Sequence, residues 1–149
     1  MYLRWALHKI RQVSPRERLL LAEASATMPC VHAIQQLMPF KRWRTLLERG
    51  DAVAPDGVDR PSIEQIVWSV RIASRYVPGE YKCLPNAYTA HLMLHRYGYP
   101  SQIHVGVARD PQGKVEAHAW VECEGRTVVG ELDDMHRFVP FPPLSKVGK

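Results

Sequence analysis

Apolar residues recur at helical spacing from Leu19 to Leu94 and then at every second position from Ile103 to Val129, which predicts helices first and a sheet afterwards. Ser14-Pro15-Arg16-Glu17 opens the first run. Ser14 can cap, Pro15 suits the first helical position, and Glu17 can bond back to the Ser14 amide. Pro29 should kink or split this helix and Pro39 should end it. A short helix over residues 41–48 closes at Gly50. Residues 51–61, rich in Asp, Pro and Gly, read as an exposed linker. Ser62-Ile63-Glu64-Gln65 repeats the capping-box pattern, and its helix runs to Tyr76 before Pro78-Gly79. The next helix is predicted from Cys83 to Tyr97, with Pro85 tolerated in its first turn and Gly98 at its C-terminal cap.

The period then becomes two. Ile103, Val105 and Val107 form one strand, and Asp110-Pro111-Gln112-Gly113 is a turn. In the next strand Val115, Ala117, Ala119, Val121 and Cys123 should face the core, with Glu116, His118, Trp120 and Glu122 on the other side. Glu124-Gly125 is a hairpin turn, after which Arg126 to Gly130 returns. The last ten residues, with three prolines, should be irregular. The layout is α+β.

The chain has 149 residues and a net charge of +5, enough for one domain with a sizeable core. The positive residues are scattered, apart from an excess over 4–18 and 41–49, and form no nucleic-acid motif, so no nucleic-acid partner is expected. The apolar stretch from Leu19 to Phe40 contains Glu23, His32, glutamines and Pro29, too polar for a membrane span. No export-signal pattern precedes it. With three cysteines, an odd number and no C-x-x-C, a reduced cytoplasmic protein without a disulfide framework is expected. Cys30 and Cys123 read as core residues.

Cys83 and His118 carry the chemistry. A cysteine at a helix N-terminus meets unpaired amides and a dipole that stabilise a thiolate, and a histidine on a following strand can serve as its base. Lys82 adds positive charge, and the Cys83 N–H can point at an oxyanion. The plainer reading makes Cys83 a small buried hydrophobe and His118 a structural strand residue. If Glu124-Gly125 is a two-residue turn, Cys123 pairs with Arg126 and His118 faces Glu131 across the ladder, about 5 Å away between Cβ atoms. Glu131 is then the candidate third residue that orients the imidazole, with Asp133 and Asp134 as alternatives. Zinc held by Cys83, His118 and one of His91, His95 or His104 is the rival chemistry, but the close ligand pairs usual for zinc are absent. No cofactor or metal is expected.

The segments Cys83 to Ser101 (C-L-P-N-A-Y-T-A-H-L-M-L-H-R-Y-G-Y-P-S), His104 to Asp110 (H-V-G-V-A-R-D) and Ala117 to Gly130 (A-H-A-W-V-E-C-E-G-R-T-V-V-G) together resemble the transglutaminase-like leader peptidases of lasso-peptide biosynthesis. S-P-R-E-R-L-L-L-A-E-A and P-F-K-R-W look like that family's helical leader section. The resemblance implies a papain-like cysteine protease core, with the cysteine helix packed on an antiparallel sheet that bears the histidine. It implies that Cys83 is the nucleophile and His118 the general base and acid in removing the leader from a ribosomal precursor peptide. A separate cyclase would then close the macrolactam. The family usually carries an aspartate on the next strand, where this chain has Gly130 and Glu131. The length matches the split form, which lacks a leader-recognition domain and borrows a separate recognition protein. Residues 1–58 would then be a helical section available for partner docking, and 59–149 the protease core. Acyl transfer to an amine and a non-catalytic peptide- or partner-binding module are the alternatives.

Overall fold

The computed structural model describes residues 12–48, 52, 56 and 59–142. Among the described residues four helices come first: α1 (Pro15–Leu37), α2 (Phe40–Leu47), α3 (Ile63–Tyr76) and α4 (Cys83–Arg96). Strands β1 (Ser101–Arg109), β2 (Val115–Cys123), β3 (Arg126–Val129) and β4 (Val139–Pro140) follow, with a 3-10 turn at Met135–Arg137. The sheet is antiparallel in the order β3-β2-β1-β4. This is the α+β order that the hydrophobic spacing predicts.

Both capping boxes form. The Ser14 hydroxyl accepts from the Glu17 N–H at 3.2 Å while the Glu17 carboxylate accepts from the Ser14 N–H at 3.0 Å. Ser62 and Gln65 exchange the same pair of bonds. α1 continues through Pro29 and is not split there, which leaves the kink as the form the expectation can take. Leu20, Ala24, Met28 and Val31 form a buried stripe that continues through it. Packing of that stripe on α3 and α4 outweighs the one hydrogen bond that proline removes. Cys30 lies off the stripe and is exposed, not core. Gly50 and most of the linker over 51–61 lie outside the described residues, as does the tail after Pro142. Pro140, expected in an irregular tail, instead pairs with Gly106 in β4.

α4 sits at the centre, against α1, α3, β1 and β2. Its Tyr88, Met93 and Leu94 share one core with Leu20 and Met28 of α1, Ile66 and Val70 of α3, and Val121 and Cys123 of β2. A helix touched on nearly every side must be apolar nearly all round, as α4 is. The β2 pattern is only partly as expected. Ala119, Val121 and Cys123 are buried, but Val115 and Ala117 are exposed because this end of the strand overhangs the helical layer. On the outer face Trp120, Ala108 and Phe138 form a second, smaller cluster. The overhang at Ala117 and the cover over Trp120 position the residues described next.

Candidate active site

Cys83 is the first residue of α4 and is half-buried. Lys82, at the cap position, makes no side-chain bond to the helix start, and Pro85 has no N–H. The Cys83 and Leu84 N–H groups are therefore the donors left open at this end. The Asn86 N–H already bonds to the Lys82 carbonyl at 3.4 Å. The thiol makes a weak contact, 3.9 Å, with the Ala117 carbonyl oxygen. The structure thus brings the start of α4 to the residue immediately before His118.

His118 Nε2 lies 2.6 Å from the Gly130 carbonyl oxygen. A carbonyl only accepts, so Nε2 carries the hydrogen and donates it, and in the neutral ring Nδ1 keeps the lone pair. Aromatic packing fixes the ring plane. Trp120 stacks at 6.2 Å and 17°, and Phe138 meets the ring at 5.4 Å. Gly106 stands opposite His118 in the ladder, and a Cβ there would sit 3.1 Å from the Trp120 ring. Its missing side chain leaves room for the indole.

Glu131 does not occupy the expected place across from His118. Cys123 pairs with Arg126 and Glu122 with Thr127, as the two-residue turn requires. A bulge then inserts one residue, so that Val121 pairs with Val129. The register slips by one, and Gly130 comes against Ala119 and Trp120. Its φ of +82° and the 2.5 Å that would separate a Cβ from the Ala119 carbonyl oxygen both require glycine. Glu131 is exposed and faces a groove between α3 and β3. Of the alternatives, Asp133 is exposed and Asp134 accepts from Arg137 at 2.7 Å. That guanidinium bond holds the Asp134 carboxyl below its ordinary range. Among the described residues the acceptor that orients His118 is a main-chain carbonyl.

The model of the transglutaminase-like superfamily matches residues 24–142, most of the chain, and spans both Cys83 and His118. The chain belongs to the transglutaminase-like superfamily. That superfamily includes cysteine peptidases and transferases. No curated protein and no solved structure matches the chain.

In this transglutaminase-like protein the cysteine opens on a cleft of about 720 Å³. Its floor is Cys83, Leu84 and Ala117, and its far wall comes from His32, Gln35 and Trp43. The sequence reading missed that wall. The available signal was the polar trio His32, Gln35 and Gln36, at i, i+3 and i+4 within an apolar run, which is one helix face. α2 is anchored by a buried network. The Glu48 carboxylate accepts from Tyr88 at 2.6 Å and from Arg44 at 2.8 Å, and Trp43 meets the Tyr88 ring edge-on at 5.0 Å. Burial, then the Glu48 bond, push the Tyr88 hydroxyl far above its ordinary range.

His91 and His95 belong to the fold at the other end of α4. His91 Nδ1 is 2.8 Å from the Ser101 hydroxyl, and His95 Nε2 accepts from the Ser101 N–H at 3.2 Å. Burial, with His95 beside it, lowers His91 to about 3. These rings serve β1, and among the described residues they do not converge with Cys83 and His118 on a common metal position. No described helix is long and apolar enough to cross a membrane.

Proposed function

We propose that this protein is a cysteine peptidase that removes the leader from a ribosomally made lasso-peptide precursor. The observation that carries the reading is the meeting of the open N-terminus of α4 with β2. Cys83 Sγ contacts the Ala117 carbonyl, and the next residue is a histidine whose Nε2–H is committed to Gly130. That commitment leaves Nδ1 as the base.

The Cys83 thiol passes its proton to His118 Nδ1 and the sulfur bonds to the carbonyl carbon at the leader–core junction. The open Cys83 and Leu84 N–H groups stabilise the oxyanion. When the carbon–nitrogen bond breaks, the core amine takes the proton from His118. Water then gives a proton to Nδ1 as its oxygen attacks the thioester. The carbon–sulfur bond breaks, the leader leaves as an acid, and the thiol recovers its proton. In this reading the Gly130 carbonyl fills the orienting place where the family carries a carboxylate, and Glu131 stands beside it. The core amine passes to a separate cyclase, and a separate leader-recognition protein presents the precursor in the cytoplasm. Leu19, Leu37 and Phe40, exposed on the helical section, suit its docking.

The test uses the purified protein with a lasso-peptide precursor and a separate leader-recognition protein. Wild type is expected to yield free leader acid and core amine by mass spectrometry. Cys83→Ala is expected to yield neither while keeping the wild-type circular dichroism. Cleavage by a folded Cys83→Ala protein would overturn the reading. An amide-linked product in place of the leader acid would assign acyl transfer.

A further inference from the structure

A polypeptide that brings a peptide bond to Cys83 continues past it on both sides, and the cleft under α1 accounts for one side only. On the other side a groove runs between α3 and β3. β3 is an outer strand paired only with β2, so along its free edge alternate N–H and C=O groups have no strand partner among the described residues. Two hollows of about 400 and 310 Å³ lie against that edge and share Val67, Arg71, Val128 and Glu131, which makes them one trough. Val67 and Val128 give it an apolar floor. Arg71 and Glu131 line it, and neither has an ion-pair partner among the described residues. The Arg126–Glu64 ion pair closes the far end.

The near end of the trough is Asn86 and Gly130. Gly130 holds His118, and Asn86 lies three residues after Cys83 on the same side of α4. Asn86 Nδ2 donates to the Tyr81 carbonyl at 3.4 Å, which sets the direction of the amide. Its Oδ1 is buried and accepts from no donor among the described residues. A buried carbonyl oxygen without a donor is costly, and a ligand N–H would relieve it. The cleft on the opposite side holds the converse group, Gln35 Nε2, a buried donor without an acceptor. An orphan acceptor on one side of the nucleophile and an orphan donor on the other match the two hydrogen-bonding groups of a peptide main chain.

We propose that the α3–β3 groove binds the substrate polypeptide as an extended strand added to the free edge of β3, with Asn86 Oδ1 accepting the main-chain N–H next to the reacting carbonyl. The proposal rests on the reading of Cys83 as the residue that attacks a peptide. Strand addition supplies affinity through main-chain bonds and leaves alternate side chains to meet Val67 and Val128 or the charges of Arg71 and Glu131.

The probe is iodoacetyl-tetra-alanine amide, which alkylates a cysteine and offers an N–H just beyond its carbonyl. The readout is its rate constant at Cys83 divided by that of N,N-dimethyl-iodoacetamide, which carries no N–H, on the same protein. In wild type this ratio is expected to exceed that for free glutathione by about tenfold or more, the worth of two or so main-chain hydrogen bonds. Asn86→Leu should lower the ratio by roughly three- to tenfold, and Asn86→Asp, which keeps an acceptor, should hold it. Methylating the first alanine nitrogen should lower the ratio in wild type but not in Asn86→Leu. Ser74→Trp, which fills the trough from α3, should also lower it. A wild-type ratio equal to that of glutathione, or one that neither Asn86→Leu nor Ser74→Trp changes, would overturn the proposal. Failure of the peptidase reading would show separately, as intact precursor in the cleavage assay.

Discussion

Gly130 joins two constraints in one residue, since its carbonyl orients His118 and its backbone adopts a φ of +82° against Ala119. Gly130→Ala should destabilise the fold by about 2 kcal/mol, from strain and from the clash with the Ala119 carbonyl. Under the proposed peptidase function, in which His118 is the base, it should also lower kcat for precursor cleavage more than it changes KM, because the ring is misaimed. Urea denaturation and steady-state kinetics check the two effects. His91 supports a pH prediction. Its folded value of about 3 lies below the ordinary histidine value, so from there up to the ordinary range the unfolded chain binds the extra proton. Stability from this group is complete above that window and is lost as pH falls through it. Moving from pH 7 to pH 5 should cost wild type about 2 kcal/mol more than it costs His91→Leu, measured by urea denaturation at both pH values. The roles of Cys83 and His118 in the fold were legible because capping and alternation are local. The acceptor for His118 was not. One extra residue in β3, Val128 opposite the Val121–Glu122 step of β2, moves every later position of β3, and a turn sequence cannot announce a bulge beyond it.

At the scale of elements, capping boxes marked the starts of α1 and α3 and were readable to the residue. α1 shows the limit of such reading. Pro29 is a strong local stop, yet the helix continues because Met28 and Val31 on either side are held in the core. α2 is short, with a non-capping Pro39 before it, so a partner must hold it. The Arg44–Glu48–Tyr88 network does so, tying α2 to α4 and setting Trp43 on the wall of the cleft. Glu48→Ala leaves a buried guanidinium without its carboxylate and should cost about 3 kcal/mol in urea denaturation. The i, i+4 spacing of Arg44 and Glu48 was visible in sequence, but Tyr88, forty positions away, was not.

Across the whole molecule, helices from the first third and strands from the last third bury side chains in the same core around α4. A structure whose main core draws on both the helical section and the sheet should unfold as one unit. Far-UV circular dichroism reports the helices, and tryptophan fluorescence reports all four tryptophans, among them Trp43 in α2, Trp68 in α3 and Trp120 in β2. The two are expected to give coincident denaturation curves, and separated midpoints would mean that the helical section melts independently. The outer sheet face depends equally on distant chain: the segment through Met135 and Phe138 returns over Trp120 and closes on His118.

The sequence by itself determined the order of elements, the helix that begins at Cys83, the strand that carries His118, and the apolar faces that meet. These follow from hydrophobic period and from capping and turn chemistry, which act over a few residues. Only the tertiary structure decided that Ala117 overhangs the helices and meets Cys83, that α1 walls the cleft, and that Gly130 rather than Glu131 takes the His118 hydrogen. Each depends on how far one element slides or slips against another. Long-range packing sets that offset, and no local pattern encodes it.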